Sequence, residues 1–170
     1  MFEIGRFVCY RAEGVCQITD VREEAFGGSE KKPYYVLTPV GDVKSTVYVP
    51  CDSEVLTSRM RPLLSAEEIC ALVEDTRGER MEWIPESRLR NTKFRDILAE
   101  GDRRELLVLL FTLMAHAETV GAKKNSTVDE NAARRARKLL LEEFSVTTDL
   151  ETEEDLCRLL TVERPCRERK

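Results

Sequence analysis

Apolar residues alternate with polar ones through the first fifty positions and recur at three- and four-residue spacing through the remainder. Phe7 to Arg11 and Val15 to Val21 are rich in β-formers. Ala12-Glu13-Gly14 lies between them and predicts a hairpin whose tight reversal places Gly14 at positive φ. A polar stretch from Glu23 to Lys32, with Gly27-Gly28-Ser29 inside it, leads to a third strand at Tyr34 to Thr38. Val40-Gly41-Asp42 turns the chain into a fourth strand at Ser45 to Val49, closed by Pro50. Four short strands in about fifty residues predict a small, strongly bent antiparallel sheet or partial barrel, marginal by size and open to pairing at its outer strands.

The pattern changes after Arg61-Pro62. Ser65-Ala66-Glu67-Glu68 reads as a capping box, opening a short helix with Ile69, Leu72 and Val73 on one face and an end near Gly78. A second helix from Ser87 carries Leu89, Phe94, Ile97 and Leu98 and stops at Gly101. Asp102 then caps an apolar helix through Leu106, Leu107, Leu109, Leu110, Leu113, Met114 and Ala117, which is the expected core of the second domain. Gly121 to Ser126 is a loop. Thr127 with Glu130 reads as another capping box for a long helix packed through Ala132, Ala133, Ala136, Leu139, Leu140 and Phe144. Thr152 to Leu160 reads as a short helix followed by a disordered charged tail. The expected class is α+β, a small N-terminal antiparallel β-barrel followed by an all-helical domain. The expected divisions are 1–60, 61–145 and 146–170.

Composition adds exclusions. No apolar run reaches the length of a membrane span, and Glu3 and Arg6 occupy the place where a secretory signal would need apolar residues, so a cytoplasmic location is expected. The six cysteines form no C-x-x-C pair, and no metal, cofactor or disulfide framework is assigned. The net charge of −5 speaks against a generally nucleic-acid-binding chain. Between Ile84 and Ser145, however, 12 Lys or Arg stand against 10 Asp or Glu, so any attraction to phosphate comes from local basic faces and is weak and salt-sensitive.

The catalytic inventory is thin. The single histidine, His116, falls within the apolar helix and suits a core rim better than a general base. Neither G-x-S-x-G nor a phosphate-cradling glycine loop is present. No catalytic residues are assigned, and an enzyme is not expected. Trp83, the only indole, follows the polar run Arg77-Gly78-Glu79-Arg80. A plug between helices and an aromatic wedge for nucleic acid both fit it, and on sequence alone the plug is favoured. Arg88, Arg90, Lys93 and Arg95 on one helix, with Arg134, Arg137 and Lys138 on another, suit either a solvated surface or phosphate tracking.

The N-terminal pattern F-x-x-G-x-x-V-x-Y, followed by Gly14-Val15, Tyr35-Val36-Leu37 and Val47-Tyr48-Val49-Pro50, resembles the CarD family of bacterial RNA polymerase regulators. The order continues with Trp83, the basic positions after it, Leu98 before Gly101-Asp102, an apolar helix and a final Ala-, Leu- and Arg-rich helix. The likeness thus spans roughly residues 2 to 145. It implies a Tudor-like N-terminal domain, shared with transcription-repair coupling factors, that binds the polymerase β subunit through Arg22, Tyr35, Val47, Tyr48 and Val49. It also implies promoter-DNA contacts by the helical domain, non-sequence-specific and weak for the chain alone. Trp83 would be a minor-groove wedge that favours the open complex, with Arg88, Arg90 and Lys93 on nearby phosphates; Arg134, Arg137 and Lys138 join the expected DNA-binding set from the second basic helix. Arg6 stands where the family usually has Asp, Glu13 where a His is common, and Tyr48 at a strand position that is basic in some relatives.

The resulting expectation is a monomeric, non-enzymatic transcription regulator without cofactor or membrane attachment. The rival is an adaptor whose helical domain contacts protein and no DNA.

Overall fold

The computed structural model describes residues 2–28, 30–121 and 126–161. The chain divides into two compact units, residues up to Leu63 and residues from Leu64.

The first unit is a five-stranded sheet of β1 (Phe7–Tyr10), β2 (Val15–Glu24), β3 (Lys32–Pro39), β4 (Val47–Pro50) and β5 (Met60–Pro62). The strands lie in the order β4-β3-β2-β1-β5, and every neighbouring pair is antiparallel. The β1–β2 reversal uses Gly14 at φ 70°, as its sequence predicts. β4 and β5 are edges, so the sheet curls without closing and the barrel is only approximate. β5 is not legible in the sequence: three residues ending in Pro62 are too few to show alternation, and their place is fixed by Tyr10 facing Met60 and Val8 facing Pro62. The β1–β2 register sets Cys9 against Val15 and Val8 against Cys16, and neither cysteine is in a disulfide.

One face of this sheet is packed. Val8, Tyr10, Cys16, Ile18, Tyr35, Leu37, Val49 and Met60 form its core, joined by half-buried Phe2, Val47, Cys51 and Leu56. Leu56 belongs to α1 (Glu54–Thr57), whose N-cap Ser53 accepts from the Leu56 amide. A bulge in β2 sets the faces. Ile18 faces Leu37 and Asp20 faces Val36, so Thr19 is extra, and the core-facing parity passes from even residues (Cys16, Ile18) to Val21.

The second unit is helical: α2 (Ala66–Thr76), α3 (Ser87–Glu100), α4 (Arg103–Val120), α5 (Thr127–Thr147) and α6 (Glu153–Thr161). Ser65 and Glu68 form the reciprocal capping box that opens α2, and Asp102 accepts from the Glu105 amide to open α4. Gly101 ends α3 at φ 64°, the left-handed position where an L side chain would be strained. The start of α5 differs from its sequence reading. Ser126 is the cap and accepts from the Asp129 amide, while Thr127 is the first helical residue.

Leu106, Leu107, Leu109 and Leu110 of α4 sit at the centre of this unit, with Ile69, Val73, Phe94, Ala136, Leu140 and Phe144 around them. α6 adds Leu156, Leu159 and Leu160 to the same core. Its end is held by Arg77, which donates to the Leu160 and Leu159 carbonyls at 2.6 and 3.4 Å, the cationic complement a helix C-terminus favours. The tail expected beyond α6 and most of the loop before Ser126 lie outside the described residues. Among the described residues no helix is long and apolar enough to cross a membrane.

Candidate functional site

Residues directly opposite in antiparallel strands point to the same face, so the register separates the side chains of the first unit. Tyr35, Val47 and Val49 face the core. Asp20, Arg22, Tyr34, Tyr48 and Pro50 face the other way.

The open face carries a compact cluster. Tyr34 and Tyr48 meet edge to face at 6.4 Å. Phe26, on the turn after β2, packs against both, 5.2 Å from Tyr34 and 5.0 Å from Tyr48. Arg22 completes it: Nη2 donates to the Tyr48 hydroxyl at 2.6 Å, and the guanidinium carbon lies 5.6 Å from the Tyr48 ring. Glu24 holds the Arg22 Nε at 2.8 Å and Asp20 lies 4.0 Å from its Nη1; the Tyr48 contact foremost, with these carboxylates, raises the arginine above its ordinary range. Phe26 is 46% exposed, unusual for a phenylalanine, and Arg22 is exposed beside it. The result is an aromatic surface with a fixed cation at its margin, the composition found at the centres of protein interfaces.

Five residues were expected on the polymerase-binding surface, and the sheet divides them. Arg22 and Tyr48 lie on the open face. Tyr35 is 6% exposed and Val49 fully buried, and Val47 is half-buried, all three turned toward the core of the sheet. Three consecutive residues of a strand cannot share a face, and the sequence reading joined Val47, Tyr48 and Val49. It missed Tyr34 and Phe26. Strand parity from Tyr48 back through Val36 would have chosen Tyr34 over Tyr35, whereas nothing in the sequence folds Phe26 onto them.

Residues 2–64 match the CarD-like/TRCF RID domain. That family is one of protein-interaction domains from transcription-related, RNA polymerase-interacting proteins, and catalysis is not known in it. No curated protein matches the chain.

In the helical unit, Trp83 lies on the segment between α2 and α3. That segment is tied down on both sides of it. The Met81 amide donates to Thr112 Oγ1 on α4 at 3.0 Å, and Arg90 Nη1 donates to the Ile84 and Pro85 carbonyls at 2.8 and 3.2 Å. The indole is half-buried against the core, stacked on His116 with centroids 3.5 Å apart and planes 16° from parallel. The Arg90 guanidinium carbon lies 4.6 Å from its ring.

Arg90 is therefore turned inward, away from where a phosphate could be met. It is 6% exposed, and its Nε and Nη2 donate to the two Asp129 oxygens at 2.8 and 3.3 Å, a paired buried charge that joins α3 to α5. The fork geometry that recommends arginine for phosphate is used here on a carboxylate. Arg88 and Lys93 are exposed on α3, and among the described residues neither has an ion-pair partner. Arg134 and Lys138 are exposed one turn apart on α5, Arg134 donating to Asn131 Oδ1 at 3.2 Å. Arg137 is half-buried and pairs with Glu153 of α6 at 3.2 Å. Of the six basic residues expected to contact DNA, Arg88, Lys93, Arg134 and Lys138 are open to solvent.

Proposed function

We propose that this protein regulates transcription by tethering to the β subunit of RNA polymerase through the open face of its RID domain, and that its helical unit stabilises melted promoter DNA. The observation that carries the reading is the coincidence of a RID-family sheet with a cluster of exposed Phe26 and Arg22 and half-buried Tyr34 and Tyr48 on the face its core leaves free. Aromatic and arginine anchors of this kind dominate protein interfaces.

In the second step, the anchor raises the local concentration of a weakly binding helical unit, and Trp83 with Arg88, Lys93, Arg134 and Lys138 meets DNA without reading its sequence. A contact available only on distorted DNA favours the open state by its differential affinity for that state. The balanced charge of the unit, with Arg90 and Arg137 diverted to carboxylates, favours the adaptor as second reading, in which the helices touch protein.

Titrating the full chain against isolated polymerase β subunit tests the tether. Tyr48→Ala with Tyr34→Ala is expected to weaken binding by at least about thirtyfold, the size of one interface hot spot. Unchanged binding by this folded variant overturns the assignment. Trp83→Ala separates the two roles of the helical unit: a shortened open-complex lifetime supports DNA contact, and an unchanged lifetime supports the adaptor.

A further inference from the structure

The two neighbours of the Trp83 ring cannot share a face. The imidazole of His116 is stacked almost directly over the indole at 3.5 Å, so a guanidinium carbon 4.6 Å from the ring on that side would overlap the imidazole atoms. Arg90 therefore covers the opposite face. The indole is still half-exposed, so what it offers to solvent is its rim.

We propose that His116 and Arg90 are positioning residues for Trp83, clamping the indole so that it meets nucleic acid with an edge and not with a face. The functional half of this inference rests on the DNA-contact reading above. A side chain that stacks on a base needs a free π-face, whereas one that enters between base steps needs a rigid edge. The clamp supplies the second and denies the first.

Three helices build it. Arg90 comes from α3, with Nε and Nη2 gripped by Asp129 of α5 and Nη1 by the carbonyls of Ile84 and Pro85, next to Trp83 in the chain. His116 comes from α4, one turn beyond the Thr112 hydroxyl that anchors Met81. A ring ordered before it meets DNA loses less freedom on contact, so the clamp strengthens binding through preorganisation.

The chain has one tryptophan, so its indole fluorescence reports the Trp83 site alone. Time-resolved anisotropy and near-UV circular dichroism of the full chain would be recorded for wild type, His116→Ala and His116→Phe. Open-complex lifetimes would be measured for the same proteins and for Trp83→Ala. Wild type is expected to show no fast local ring motion. His116→Ala should add it, weaken the near-UV signal and shorten the open complex roughly two- to tenfold, the range associated with ordering one side chain. His116→Phe, which restores a flat partner, should reverse all three. If His116→Ala does not fold, His116→Leu fills the space without a planar ring and takes its place.

A ring already mobile in wild type, or equally rigid in folded His116→Ala, overturns the clamp. A loosened ring with a wild-type lifetime, where Trp83→Ala shortens it, overturns its role on DNA. If Trp83→Ala itself changes nothing, the DNA reading fails, and the clamp is then judged on anisotropy alone.

Discussion

Asp129 holds Arg90 in a two-point ion pair at 2.8 and 3.3 Å, with side-chain exposures of 4% and 8%, and the same guanidinium lies against the Trp83 ring. Removing the carboxylate strands a buried cation. Asp129→Ala is expected to destabilise the helical unit by about 3–5 kcal/mol, the cost of breaking a buried pair from one side. Chemical denaturation followed by far-UV circular dichroism measures it. Replacing both partners with apolar residues should cost much less, because no charge is then left without a partner.

The two faces of β4 predict opposite phenotypes for adjacent residues. Val49→Ala should cost about 1–3 kcal/mol of stability in the sheet unit and leave the proposed binding of the folded protein to the polymerase β subunit unchanged. Tyr48→Ala should do the reverse, with a small change in melting temperature and weakened capture. Thermal unfolding paired with a binding titration distinguishes them, and weakened capture by folded Val49→Ala would contradict the facing given by the register.

α6 is an integral part of the helical core, and Leu156 has no exposed surface. Leu156→Ala should destabilise that unit by about 2–5 kcal/mol through lost burial and the cavity it leaves. A change within 0.5 kcal/mol by denaturant titration would mean that α6 packs loosely.

Asp155 makes the start of α6 sensitive to acid. Its Oδ2 accepts from the Thr152 hydroxyl at 2.8 Å and from the Thr152 and Glu151 amides at 3.0 and 3.2 Å, and these bonds hold its carboxyl below the ordinary value of 3.8. Folding therefore favours the ionised form. The contribution is complete above that ordinary value and disappears as pH falls through the lower folded value. Asp155→Asn should be less stable than wild type at neutral pH, and the difference should shrink on acidification. Melting temperatures of both proteins from pH 7 to pH 2 test the sign.

Where side-chain pattern and backbone geometry coincide, the sequence is an adequate guide. The β1–β2 reversal at Gly14, the Ser65–Glu68 box, the Asp102 cap and the left-handed Gly101 are local features, and the structure has each. Features that depend on a distant residue are hidden. A basic residue on a helix looks the same in sequence whether it meets solvent, as Arg88 does, or a carboxylate thirty-nine positions away, as Arg90 does. The cap of α5 falls on Ser126 and not on Thr127, and the same turn delivers the Asp129 side chain to Arg90. The open-face cluster was half legible, through Arg22 and Tyr48, because its other half depends on a turn folding back over the sheet.

The extra residue at Thr19 acts as a crankshaft in β2. Upstream of it the even-numbered side chains turn inward, and downstream the odd-numbered ones do. Deleting that single position would leave Ile18 opposite Leu37 and Asp20 opposite Val36 with nothing extra between them, so Arg22 and Glu24 would keep the side they already have. What would go is the local bend and the added twist, and the Arg22 end of the strand would be re-aimed relative to Tyr48 without any side chain changing sides.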